Sequence, residues 1–242
     1  MRRTVEHLER TFNNICTDSY PTEWDENHIT FLLMKELRGL FSNRTIHFDG
    51  WSKMVHWQSF KNRGKQETKY GDIALIVNIQ FSSGETLKGV ATIEAKRSYN
   101  SGNFESIDVE QLDRIKANAP HSHLLLYLHR PTEVNLKFPD ESAWKSNMWI
   151  SPVNTAVELL RQTTSRDNNK VLRVSFPFTK FLMSRIFWGL DLDFRKDVYD
   201  DIIGGLNTLT KSGPEFLAVV NVYYDNQRPV DINLSDIWEE IK

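Results

Sequence analysis

Apolar residues recur at helical spacing over roughly residues 22–42, where Ile29, Leu33, Leu37 and Leu40 mark one stripe. Pro21 and Thr22 stand where such a helix would start, and Asp25 and Glu26 fall in the first turn, where the helix dipole favours carboxylates. A shorter helix is expected over roughly 2–17. The period then drops to two. A first strand-like segment, roughly 45–60, mixes aromatic and polar residues. A second, Tyr70–Phe81, places Ile73, Leu75, Val77, Ile79 and Phe81 on one face. Ser82-Ser83-Gly84-Glu85 reads as a turn into a third strand, Leu87–Lys96, and the pair is expected to form an antiparallel hairpin.

A polar stretch with Asn100, Ser101, Gly102 and Asn103 leads into a helix over roughly 106–117. The apolar run His123–His129 then suits a buried strand. Helix, three strands, helix, strand is a mixed order that argues for an α/β or α+β domain with a central sheet. Beyond residue 150 the pattern weakens to a helix near 152–162, apolar segments near 181–190, a helix near 197–210 and a strand near 216–224. One domain over residues 1–242 is expected, its core at about 22–130 and residues 131–242 added to it.

Composition narrows the class of protein. Hydrophobic residues make up 40% of the 242 and charged residues 26%, which suits a folded domain and not a flexible adaptor. The single cysteine, Cys16, excludes an intrachain disulfide and a multi-cysteine metal site. The opening residues carry charge without an apolar segment behind them, so no secretory signal is expected. No run approaches a membrane span. A cytoplasmic protein without a membrane partner is therefore the expectation. The net charge of −2 disfavours a stand-alone binder of nucleic acid, since phosphate neutralisation supplies much of such affinity.

Candidate chemistry sits at the predicted hairpin. Asp72 opens the second strand and faces away from the Ile73/Leu75/Val77 row, while alternation sends Glu94 and Lys96 to one face of the third. Adjacent strands let an aspartate, a glutamate and a lysine converge. Two carboxylates can hold Mg²⁺ or Mn²⁺, leaving waters and a phosphate to complete the octahedron. The metal acidifies a bound water, and the lysine can orient that water or offset developing charge. The same trio also suits a plain cross-strand ion-pair cluster. Glu26 and Gln111 add weight, because each lies on an otherwise apolar helical stripe and inward polar groups need partners. Glu23, one turn earlier, is an alternative to Glu26. Basic residues flank the site at Lys53, Lys61, Arg63, Lys65, Lys69 and Arg97, with Trp57 and Tyr70 among them, as a nucleic-acid groove would require.

The ordered set Glu26, Gly71-Asp72, Glu94-Ala95-Lys96 and Gln111-Leu112 resembles the PD-(D/E)XK nuclease superfamily over roughly residues 22–130. Gly71 stands where the superfamily's name places proline. The resemblance implies a restriction-endonuclease-like α/β fold, αβββαβ, with a central mixed sheet flanked by helices. It implies metal-dependent cleavage of phosphodiester bonds, with Asp72, Glu94 and Glu26 serving Mg²⁺ or Mn²⁺, Lys96 as catalytic lysine and Gln111 in support. Double-stranded DNA is the expected substrate, with Lys61, Arg63, Lys65, Lys69 and Arg97 as backbone contacts, and prokaryotic antiviral defence is the role the superfamily suggests. Cutting both strands needs two sites, so a homodimer or a larger complex is expected. The alternative is a non-catalytic subunit of the same fold that binds nucleic acid or partner proteins.

Overall fold

The computed structural model describes residues 2–48, 51–64, 69–104, 106–134, 144–162, 168–204, 213–224 and 227–242. Helix α1 (Arg2–Ser19) and helix α2 (Glu26–Leu40) come first. Strands β1 (Arg44–Phe48), β2 (Trp51–Asn62), β3 (Ile73–Gln80) and β4 (Thr86–Arg97) follow. Helix α3 (Val109–Asn118) leads to β5 (His123–Val134) and β6 (Trp144–Pro152), then α4 (Val153–Gln162). After β7 (Phe176–Pro177) come α5 (Phe178–Ser184), α6 (Lys196–Gly204), β8 (Phe216–Tyr223) and β9 (Trp238–Glu240).

These strands form one large mixed sheet in the order β1-β2-β8-β3-β4-β5-β6-β7, with β9 pairing to β2. The protein is therefore mixed α/β, with an open sheet covered by helices. The expected hairpin is present: β3 and β4 are antiparallel, with Ile73 opposite Ile93 and Gln80 opposite Thr86. The expected first strand is instead two, β1 and β2, paired antiparallel with Phe48 opposite Trp51. The larger difference lies at β8, which runs parallel to β3 and antiparallel to β2, and so stands between them in the middle of the sheet. A strand from the last third of the chain thus separates segments that follow each other in sequence.

Central placement explains why β3 is buried on both faces. Ile73, Leu75, Val77 and Ile79 join the core under α1, α2 and α5, whereas Ala74 and Ile76 pack on the other face with Val198 and Ile202 of α6. Helix α2 buries Ile29, Leu33, Met34 and Leu37, and each such side chain withdrawn from water contributes about 1.5–3 kcal/mol. Asp25 caps α2 by accepting from the Asn27 and His28 N–H groups. Parallel strands need a crossover, and between β4 and β5 that crossover contains α3. Its stripe, Leu112 with Val109 beside it, packs in the cluster formed with Leu124, Leu126 and Trp149, on the sheet face that carries Glu94. Among the described residues no helix is long and apolar enough to cross a membrane.

Candidate active site

The site lies where β3 and β8 begin beside β4. Asp72 precedes β3, and its backbone is held from both sides: its N–H donates to Ile93 O at 2.9 Å, and the Phe216 N–H donates to its carbonyl at 2.9 Å. Gly71 makes this approach feasible. Its φ is +81°, and a Cβ there would lie 2.7 Å from Ile93 O. Proline, with φ locked near −65°, cannot occupy that position. The departure from the superfamily's proline thus has a local steric reason in this chain.

The side chain of Asp72 turns to β4, where Oδ2 accepts from the Ala95 N–H at 2.8 Å. Glu94 is fully buried, and its two oxygens are treated differently. Oε1 accepts from Lys96 Nζ and, at 2.8 Å, from Gln111 Nε2. Oε2 is buried with no hydrogen-bond partner. Lys96 Nζ also stands 3.8 Å from Glu26 Oε2. Glu26 opens α2, which is tied to the end of β4 where Trp24 Nε1 donates to Ser98 O at 2.6 Å. Its Oε1 accepts from the Arg97 N–H at 3.1 Å and the Ser106 hydroxyl at 3.4 Å. All five predicted site residues are therefore brought together. Glu23, the alternative to Glu26, pairs with His28 instead.

Charge and burial work against each other here. Burial first, and the Asp72 carboxylate second, push the Glu94 carboxyl up to about 7, against the pull of Lys96. Burial also raises Asp72, with Glu26 and Glu215 adding to the rise and Lys96 opposing it. For Lys96, burial lowers the proton affinity, but the charges of Glu94, Glu26 and Asp72 together outweigh it, and the net shift is upward. The centre is thus one buried ammonium beside two acids, Asp72 and Glu94, that hold their protons unusually well. A divalent cation beside Glu94 Oε2 would satisfy the orphaned oxygen and draw the remaining charge out of both carboxylates. Asp72 and Glu94 fit that role as the one or two carboxylates that Mg²⁺ commonly takes, the rest being water and phosphate. No group of three or more His, Cys, Asp or Glu among the described residues is placed to hold one metal ion. Glu26 bonds to the Arg97 N–H and faces the Lys96 ammonium.

The basic rim differs from expectation in its partners. Lys61 pairs with Glu215 at 3.4 Å, Arg63 with Glu239 at 2.9 Å and Lys69 with Asp201 at 2.9 Å. Arg97 lies over the Tyr99 ring, 4.8 Å from its centroid. Lys53 is buried against the Trp188 and Tyr224 rings. Lys65 lies outside the described residues. Trp57 and Tyr70 are core residues and offer no stacking surface.

One acidic neighbour escaped the sequence reading. Glu215 immediately precedes β8, and its charge acts on Asp72. A signal for it exists: Asp72 precedes the run IALIV, and Glu215 precedes FLAVV, so a carboxylate opens each of two buried strands. No protein-family model, curated protein or solved structure matches the chain.

Proposed function

We propose that the chain is a divalent-metal-dependent nuclease of the PD-(D/E)XK kind, with a restriction-endonuclease-like core running from α2 to β5. The observation that carries this reading is the buried, unpartnered Oε2 of Glu94 beside Asp72, with Lys96 on the other oxygen of the same carboxylate. An orphaned carboxylate oxygen costs roughly 1–3 kcal/mol or more to leave unpaired, and a divalent cation between it and Asp72 would offset that cost. Asp72 and Glu94 are the ligands for Mg²⁺ or Mn²⁺. When bound, the ion supplies Lewis-acid activation of water and neutralisation of phosphate charge. Lys96, held by Glu94 and Glu26, presents its ammonium to the attacking water and the phosphate. Gln111 fixes Glu94 Oε1, so that Oε2 is the oxygen left for coordination. Glu26 locks the end of β4 through the Arg97 N–H. The substrate is nucleic acid, DNA in the first place. A prokaryotic defence setting, and a second copy or partner subunit for double-strand cleavage, follow from the superfamily resemblance.

A second reading has one specific observation in its favour. Three of the rim cations, Lys61, Arg63 and Lys69, are neutralised by acids, which suits a subunit of the same fold that no longer cleaves. Thermal unfolding separates the two. A working centre is stabilised by millimolar Mn²⁺, by RT ln(1 + [L]/Kd), and loses that gain in Glu94→Gln. Equal melting temperatures with and without Mn²⁺ in the unaltered protein favour the non-catalytic subunit.

A further inference from the structure

Glu215 is a buried carboxylate that the proposed chemistry leaves without a task, and strand pairing says where it stands. Ile73 and Phe216 are opposite each other on the parallel strands β3 and β8, and both pack in the core under α1, α2 and α5. Asp72 and Glu215 are the residues just before them. The ladder still holds there, since the Phe216 N–H donates to Asp72 O at 2.9 Å. Alternation sends the two carboxylates to the other face, the one that carries Glu94. Asp72 therefore has Glu94 on β4 to one side and Glu215 at the start of β8 to the other, and the charge of Glu215 acts on it. Strand β2 fixes the far side of Glu215: the Asn62 N–H donates to Glu215 O at 2.9 Å, and Asn62 Nδ2 donates to the Pro214 carbonyl at 3.2 Å.

Three acids side by side are not a site by themselves. Two further observations point to missing positive charge. Glu94, at one end, is fully buried and its Oε2 has no hydrogen-bond partner. Glu215, at the other, is 5% exposed, and a carboxylate so deeply buried needs a compensating charge. Lys61 supplies part of it, its ammonium 3.4 Å from Oε1. That lysine belongs to the opposite face, paired with Phe216 and lying over its ring, and its side chain is 45% exposed. A half-open pair of this kind is weak and can give way to a divalent ion. No three acids among the described residues are placed to share one ion. Two ions, each on two carboxylates with water completing the shell, meet that restriction. A carboxylate in the middle has two oxygens and can serve an ion on each side.

We infer that the centre takes two divalent cations, one at Glu94 and Asp72 and a second at Asp72 and Glu215. This rests on the metal-centre reading above. Ions paired about 3.5–4 Å apart serve the attacking and leaving oxygens of a phosphoryl displacement. Mn²⁺ binding to the full chain, without nucleic acid, is measured by equilibrium dialysis, with an electron paramagnetic resonance spectrum at saturation. The unaltered protein binds two Mn²⁺ per chain and shows a spin-coupled pair, whereas Glu215→Gln binds one and shows an isolated ion. Lys61→Ala leaves Glu215 in place, keeps both ions and tightens the weaker one by up to about fivefold. That variant carries the test should Glu215→Gln fail to fold. One Mn²⁺ per chain in the unaltered protein, two retained in Glu215→Gln, or a weaker second ion in Lys61→Ala overturns the second site. Plasmid cleavage keeps the two readings apart. Cleavage by a protein that binds a single Mn²⁺ removes Glu215 and leaves the nuclease, while two ions bound without cleavage counts against the nuclease reading alone. No Mn²⁺ bound at all overturns both.

Discussion

Of the three glutamates buried among the described residues, Glu9 and Glu94 both have an unsatisfied carboxylate oxygen and differ in their surroundings. Glu9, on α1, has both carboxylate oxygens buried without a hydrogen-bond partner. Burial raises its proton affinity, tempered by the Thr179 and Ser146 hydroxyls and by Lys180, although neither hydroxyl makes a well-aligned bond to it. Glu94 is as deeply buried and is raised for the same first reason. Its surroundings differ. A second carboxylate stands on the neighbouring strand, a lysine and a glutamine grip one oxygen, and the other is left open. Glu9 lies among α1, α5 and β6, where Thr179, Ser146 and Lys180 act on it. Burial and an unsatisfied oxygen therefore do not make a site by themselves. The proposed centre rests on the convergence of several strand and helix ends.

The largest effect should separate the two at once. Asp72→Ala, Glu94→Ala and Lys96→Ala each reduce cleavage by roughly a thousandfold, the scale of several kcal/mol of charge stabilisation, with the fold retained. Glu9→Gln leaves turnover unchanged. Comparable loss in Glu9→Gln would collapse the distinction.

Next in size is a steric prediction specific to the Glu94 region. Gly71→Ala places a methyl 2.7 Å from Ile93 O at a φ of +81°, and should cost about 3 kcal/mol or more by denaturant unfolding. Gly84→Ala, with a similar φ of +89° and open space around it, should cost only about 1 kcal/mol. Equal losses at the two glycines would mean that the close approach of Gly71 to β4 is not tight in solution.

A pH profile sharpens the comparison further. Glu94 has a folded value of about 7 against an ordinary 4.5, so between those limits the folded state keeps a proton that the unfolded state has released. Its contribution is full below about 4.5, and metal-free stability falls as pH rises from there towards 7. The loss should be on the order of 1–3 kcal/mol and should flatten in Glu94→Gln. Burial acts in the same direction at Glu9, so its contribution is also lost as pH rises and should disappear in Glu9→Gln. Mn²⁺ should reverse the loss at Glu94 and leave the Glu9 contribution untouched. Reversal that survives Glu94→Gln would place the ion elsewhere.

The reading of the site from sequence rested on local periodicity, and its reach follows from that. Alternation along β3 and β4 is a nearest-neighbour property, so it put Asp72, Glu94 and Lys96 on one patch. Helical spacing is equally local and turned Glu26 and Gln111 inward. Pairing between strands distant in sequence leaves no such mark. Nothing near residue 60 announces that β8 lies beside it, so Glu215 and the acidic partners of the rim lysines went unseen. The split of residues 45–60 has a local signal, since Asp49-Gly50 is a common hairpin dipeptide. Strand β6 was missed for another reason. The polar residues Lys145, Ser146 and Asn147 mask a buried strand, in which Asn147 bonds to the Leu128 carbonyl and to Asn13 of α1.

The most direct test of the central claim is cleavage of supercoiled plasmid by the purified chain with Mg²⁺, Mn²⁺ or EDTA, beside Lys96→Ala. Nicking that requires the metal and disappears in the variant is the predicted result. Metal-independent nicking, or nicking that Lys96→Ala retains, would contradict the assignment of the Asp72–Glu94–Lys96 centre.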